Sequence, residues 1–177
     1  MEFEQRNDVT AEEYLEMIRL KTAVLLAASL KIGARLGGAS VEDADRLYDF
    51  GMHIGVAFQL KDDLLDVYGN AKVFGKNIGG DILCNKKTYM LIKALEHANA
   101  DQHNQLNSWI NAETFQPAEK IAVVTELYDR IGVKAVCENK ILEYSNWAME
   151  SLAAVSIAEE KKEELKKIIE NLIHREV

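Results

Sequence analysis

The chain is 177 residues long, 48% hydrophobic and 28% charged, which fits one folded domain with its own core and excludes disordered and collagen-like classes. A formal net charge of −8 repels phosphate backbones and excludes a general nucleic-acid binder, but leaves room for a small phosphorylated ligand held through a divalent cation. Cys84 and Cys137 lack disulfide or zinc spacing, the first residues carry no apolar signal region, and the longest uncharged apolar stretch, Thr22 to Leu30, is far below the roughly 20 residues of a membrane span, so the expectation is a soluble protein of the reducing cytoplasm.

One proline and ten glycines among abundant Ala, Leu, Ile, Glu and Lys favour an all-α helical bundle, expected as a single domain over residues 1–177. In chain order, Thr10 with Glu13 forms a capping-box pattern that opens a helix running to about Leu36, where Gly37 and Gly38 stop it. Ser40 with Asp43 opens a second, long helix to about Tyr68, ending at Gly69. Residues 69–87 hold four glycines and four lysines without a helical period and read as a basic loop with room for one helical turn. Helices are then predicted from Thr88 to about Ala100, from Gln102 to Asn111, from Pro117 to near Gly132, and from Val133 to Val155. Ser156 and Glu159 cap a last charged helix in which Leu165, Ile168, Ile169 and Leu172 keep helical spacing.

The stretch FQLKDDLLDVYG puts Asp62, Asp63 and Asp66 in the last two turns of the second helix, with Asp62 stacked below Asp66 and Gln59 one turn away on the same stripe. These carboxylates repel one another at a helix end whose dipole disfavours each by roughly 0.3–1 kcal/mol, so a cation should compensate them. The bland reading is a solvated acidic face. Upstream on the stripe, however, Tyr48, Met52 and Gly55 are apolar or small, which places the acids at the end of a face expected to be buried. Hard oxygens clustered on a cavity suit Mg2+.

Lys21 shares a stripe with Tyr14, Met17, Ile18, Leu25, Ala28 and Ile32, which directs its ammonium toward the interior and an anion, unless the stem packs and the tip reaches water. Lys76, Lys86 and Lys87, in or beside the loop, could bring positive charge to a metal-held diphosphate, although loop lysines are usually solvated. No histidine pairs with a serine or cysteine in a nucleophile motif, and Trp109 and Trp147 read as packing residues.

Three segments in order, EEYLEMIRLKTAVLLAASLKIGA, FQLKDDLLDVYG and GKNIGGDILCNKKT, resemble the C-terminal half of short-chain trans-isoprenyl diphosphate synthases, the farnesyl diphosphate synthase type. The match covers about 80 residues and becomes diffuse over residues 95–177. The resemblance implies the second half of the isoprenoid synthase fold, Mg2+ as cofactor, a homodimer, and condensation of an allylic diphosphate with isopentenyl diphosphate to a farnesyl or geranylgeranyl product and pyrophosphate. It implies that Asp62 is the most direct metal ligand, with Asp66 and Asp63 ligating or holding metal-bound waters. Lys21 and Lys76 are implied to contact the allylic diphosphate, Thr22 and Gln59 to line the site, and Lys86 to support the phosphates. Only one DDxxD occurs, so the expectation is a fragment lacking the first metal motif. Two alternatives stand beside it: a class I terpene cyclase, disfavoured by the Lys-Thr helix and the GGDILCNKKT segment, and a noncatalytic helical partner subunit.

Overall fold

The computed structural model describes Arg6, residues 8–70 and residues 78–173. All regular structure among these residues is helical. It comprises α1 (Ala11–Ile18), a π-helical turn (Arg19–Ala23), α2 (Val24–Leu36), α3 (Val41–Tyr68), α4 (Gly80–Leu83), α5 (Tyr89–His97), α6 (Ala100–Ile110), α7 (Pro117–Ile131), α8 (Val133–Ala153), a 3-10 turn (Glu159–Lys161) and α9 (Glu163–Ile173). The chain folds as two compact units.

The first unit takes the described residues up to Tyr14 and Asp62–Glu138. Its local sequence signals act as expected. Thr10 Oγ1 accepts from the Glu13 N–H at 3.2 Å while the Glu13 carboxylate accepts from the Thr10 N–H at 3.0 Å, closing the capping box that starts α1. A second, unanticipated capping box joins Asn99 and Gln102 and starts α6 two residues before the expected Gln102. Pro117 opens α7 without wasting a donor, and Gly132, at φ 83°, closes it with its N–H on the Tyr128 carbonyl. Helix α7 packs on α4, α5 and α6, burying Leu91, Leu106, Val124, Leu127 and Tyr128. The buried Thr88 caps α5 by accepting the Leu91 N–H at 3.3 Å. Thr88→Ala should therefore lower stability by about 1 kcal/mol, read as a shift in urea midpoint at unchanged slope.

The second unit comprises Leu15–Lys61 and the described part of Asn139–Arg175. Phe50, Ile54 and Ala57 of α3 form its core with Ala148, Leu152, Val155, Ile169 and Leu172. Ser156 does not cap the last helix as its spacing predicts. Its N–H donates to Asp43 Oδ1 at 2.8 Å and its hydroxyl accepts from Arg46 at 3.2 Å, so α9 begins only at Glu163. The buried Lys162 secures that junction, donating to the Ala153 carbonyl at 2.9 Å and to Glu159 at 2.8 Å.

Within this unit the first helix departs from α geometry. The residues buried along it from Ile18 onward are Ile18, Ala23 and Ala27, and the five-residue step from Ile18 to Ala23 is the residue added by the π turn. Everything downstream rotates off the α-helical stripe. Leu25 is 75% exposed and Ile32 60%. Lys21, which that stripe would point inward, is exposed for the same reason.

Candidate functional site

In the first unit, the C-terminal end of α3 and the segment through α4 link Asp63, Asp66, Asp81 and Lys86 in one hydrogen-bonded chain, with Asp62 beside it in sequence. Glycine makes this approach possible. Gly79 sits at φ 85°, a Cβ there would lie 2.7 Å from Ile121, and its N–H donates to the Asp66 carbonyl at 2.6 Å. The Asp66 carboxylate accepts the Asp81 N–H at 2.9 Å, so a side chain from α3 caps the first turn of α4. Burial raises the pKa of Asp66 against the pull of that hydrogen bond.

Asp63 is different from its neighbours. It is 3% exposed, and both oxygens are engaged: Oδ2 accepts from the Tyr14 hydroxyl and Oδ1 from Lys86 Nζ at 2.9 Å. Burial pushes its carboxyl up to about 6, opposed by the Lys86 charge and the Tyr14 hydrogen bond. Lys86 also donates to Asp81 Oδ2 at 2.7 Å. Burial works against its ammonium, but Asp63 and Asp81 outweigh it and raise the pKa. Asp62 is half-buried and makes no hydrogen bond or ion pair among the described residues. Lys86 thus serves two carboxylates, Asp63 and Asp81, while Asp66 accepts a backbone N–H and Asp62 has no cationic partner among the described residues, an excess of negative charge that a cation would relieve.

Behind this network lies a residue without a sequence signal. Lys120 is 1% exposed, donates to Asn85 Oδ1 at 2.7 Å and stands 4.2 Å over the Phe115 ring, and burial lowers its pKa. Asn85 in turn holds the Ile110 carbonyl at 2.9 Å and adopts φ 51°, which fixes the turn just before Lys86. Lys87 lines a groove with Asp8, Thr10 and Leu91.

In the second unit, the half-buried Thr22 lies in the π turn and donates to Gln59 Oε1 at 3.0 Å. π-Turns of this kind recur at functional sites because they swing one residue out of helical register. Lys21 is exposed and makes no ion pair among the described residues, so its head is available to a ligand without the buried partner that the stripe implied. Lys76 lies outside the described residues.

Among the described residues no three carboxylate, imidazole or thiolate groups converge to hold an ion unaided. That is compatible with Mg2+, which binds through one or two carboxylates and completes its octahedron with water and substrate phosphate, and the half-buried Asp62 and Asp66 are the two residues of the motif that could hold it. No helix of the described residues is long and apolar enough to cross a membrane.

A sequence model of the family described as Polyprenyl synthetase matches residues 1–129. The chain belongs to the polyprenyl synthetase family. A short chain isoprenyl diphosphate synthase from Methanothermobacter thermautotrophicus is 38% identical over 176 residues, 99% of this chain and 53% of the relative. A crystal structure of a geranylgeranyl pyrophosphate synthase superposes with TM-score 0.91 at 36% identity, covering 99% of this chain and 55% of that one. A geranylgeranyl pyrophosphate synthase from Corynebacterium glutamicum, solved with isoprenyl diphosphate and magnesium, superposes with TM-score 0.88 at 30% identity, over 98% of this chain and 49% of its own. The all-α fold is that of these synthases. The chain spans about half the length of the relatives it matches. The family match runs well past residue 95, so the similarity is broader than the three motifs alone.

Proposed function

We infer that this chain supplies the second aspartate-rich half of a trans-prenyl diphosphate synthase, which condenses an allylic diphosphate with isopentenyl diphosphate to a farnesyl or geranylgeranyl product and pyrophosphate. The observation that carries this reading is the excess of carboxylates at the end of α3: Lys86 is bonded to Asp63 and Asp81, Asp66 accepts the Asp81 N–H, and Asp62 makes no ion pair among the described residues. Asp62 and Asp66 hold Mg2+. The ion, when bound, stabilises the negative charge that grows on the departing diphosphate. Lys21 and Lys76 contact the allylic diphosphate, and Lys86 adds positive charge near it while fixing Asp63 and Asp81. Thr22 and Gln59, already hydrogen-bonded to each other, line the site near the reacting carbons. The allylic C–O bond breaks with its electrons leaving on pyrophosphate, the isopentenyl double bond attacks the allylic carbon, and a proton is lost.

Turnover requires the first aspartate-rich motif, since one DDxxD is all this sequence contains. The expected result is Mg2+-dependent binding of geranyl diphosphate, measured calorimetrically and abolished by EDTA. Prenyl extension of labelled isopentenyl diphosphate is expected once the complementary half is present. Absence of geranyl diphosphate binding with and without Mg2+ would overturn this reading.

A second reading rests on Leu20, Leu25, Ile32 and Leu36, whose exposure reaches 85% at Leu36. These side chains suit a protein partner, either a second copy in a homodimer or the chain that a noncatalytic helical subunit would serve. Self-association that preserves geranyl diphosphate binding favours the enzyme; association by a chain that never binds it favours the subunit. The cyclase alternative has no counterpart among the synthases described above.

A further inference from the structure

We propose that Tyr14 is a positioning residue for the metal site, acting through Asp63, and that Asp63 is a fixed anchor rather than a metal ligand; this rests on the metal-site reading above. Tyr14 is 1% exposed and its only polar side-chain atom donates to Asp63 Oδ2. Lys86 occupies the other oxygen, Oδ1, at 2.9 Å. Each Asp63 oxygen already accepts from one protein donor, and because only 3% of the residue is exposed, the remaining lone pairs face protein rather than an open path for a metal ion. Its neighbours are built the opposite way. Asp62 makes no protein hydrogen bond among the described residues. Asp66 accepts the Asp81 N–H at 2.9 Å, but it is only half-buried and keeps lone pairs free of protein donors.

Tyr14 and Lys86 together hold the Asp63 carboxylate in one position at the C-terminal end of α3. Asp62 and Asp66, four residues apart, share one stripe of α3, and Asp63 lies beside it, three residues from Asp66. Lys86 carries the constraint onward, because its second bond, at 2.7 Å, holds Asp81, whose N–H orients Asp66. Tyr14 therefore sits at the start of a chain of contacts through Asp63, Lys86 and Asp81 to a metal-facing carboxylate. Partners of this outer kind typically change metal affinity by about 10–100-fold when removed. Without the Tyr14 hydroxyl, one Asp63 oxygen is released and Lys86 alone holds the carboxylate at which this chain of contacts begins.

The test uses Mn2+ as a paramagnetic probe with inorganic pyrophosphate, following free Mn2+ by electron paramagnetic resonance on the full chain well below its melting temperature. Tyr14→Phe, checked for folding by circular dichroism, should bind Mn2+ about tenfold more weakly. Asp63→Asn should retain binding within that same factor, whereas Asp62→Asn should lose it. Adding Tyr14→Phe to Asp63→Asn should cost nothing further, the non-additivity expected when one residue acts through another. A folded Tyr14→Phe chain with unchanged Mn2+ affinity would leave Tyr14 a packing residue. Should that variant not fold, Asp63→Asn decides alone: loss of Mn2+ as complete as in Asp62→Asn makes Asp63 a ligand and overturns the proposal. A parent chain that binds no Mn2+ in the presence of pyrophosphate removes the metal-site reading itself, and this inference with it.

Discussion

Asp62→Ala should weaken Mg2+-dependent binding of geranyl diphosphate by at least about 100-fold while leaving the fold intact. The size follows from position in the site: outer-shell partners of a metal cost up to about 100-fold, and a direct ligand should cost no less. The sparing of stability follows from the surroundings. Asp62 is half-buried and unpaired among the described residues, and it lies in the last two turns of α3, where the helix dipole opposes negative charge. Removing it relieves repulsion from Asp63 and Asp66, so the melting temperature should hold or rise slightly. Calorimetric titration and a thermal melt of the same sample separate the two effects. Retained binding would show that the diphosphate is held elsewhere, and a collapse in stability would show that Asp62 serves the fold.

The contrast between Asp62 and Asp63 marks where sequence reasoning stops. The i, i+4 relation of Asp62 and Asp66 is local and legible, as is the capping box of Thr10 and Glu13. The partners of Asp63 are not, because Tyr14 is 49 positions away and Lys86 is 23. Ser156 shows the same limit. Its N–H is claimed by Asp43, 113 residues earlier, and a pattern read within four residues cannot register that competition. Lys21 escapes its expected place for another reason. A single helical period does not hold across residues 14–32, because the π turn at Arg19–Ala23 inserts a residue and moves the buried positions to Ala23 and Ala27. Asp81 carries a weak signal, following Gly79 and Gly80 at a helix start, and Lys120 carries none.

Gly55→Val should destabilise the second unit by about 3 kcal/mol, lowering the thermal midpoint by roughly 6–12 °C. A Cβ at Gly55 would lie 2.7 Å from both Cα and Cβ of Ala23, and one at Gly51 would lie 2.7 Å from Ala27 Cα. Two glycines one turn apart on α3 thus face two alanines that the π turn has rotated into the contact, and the backbones touch. Valine can be accommodated there only by moving backbone, which places the cost at the upper end of overpacking. Displacement of α3 would also disturb Phe50, Ile54 and Ala57, its share of this unit's core. Gly33 is the internal control. It lies within α2 with nothing inside 4 Å of the point where a Cβ would stand, so Gly33→Ala should instead gain up to about 1 kcal/mol from helix propensity. Thermal and urea unfolding followed by far-ultraviolet circular dichroism reads both. A Gly55→Val chain that melts with the parent would mean that the two helices are held apart in solution, and the register set by the π turn, on which the placement of Thr22 against Gln59 depends, would have to be redrawn.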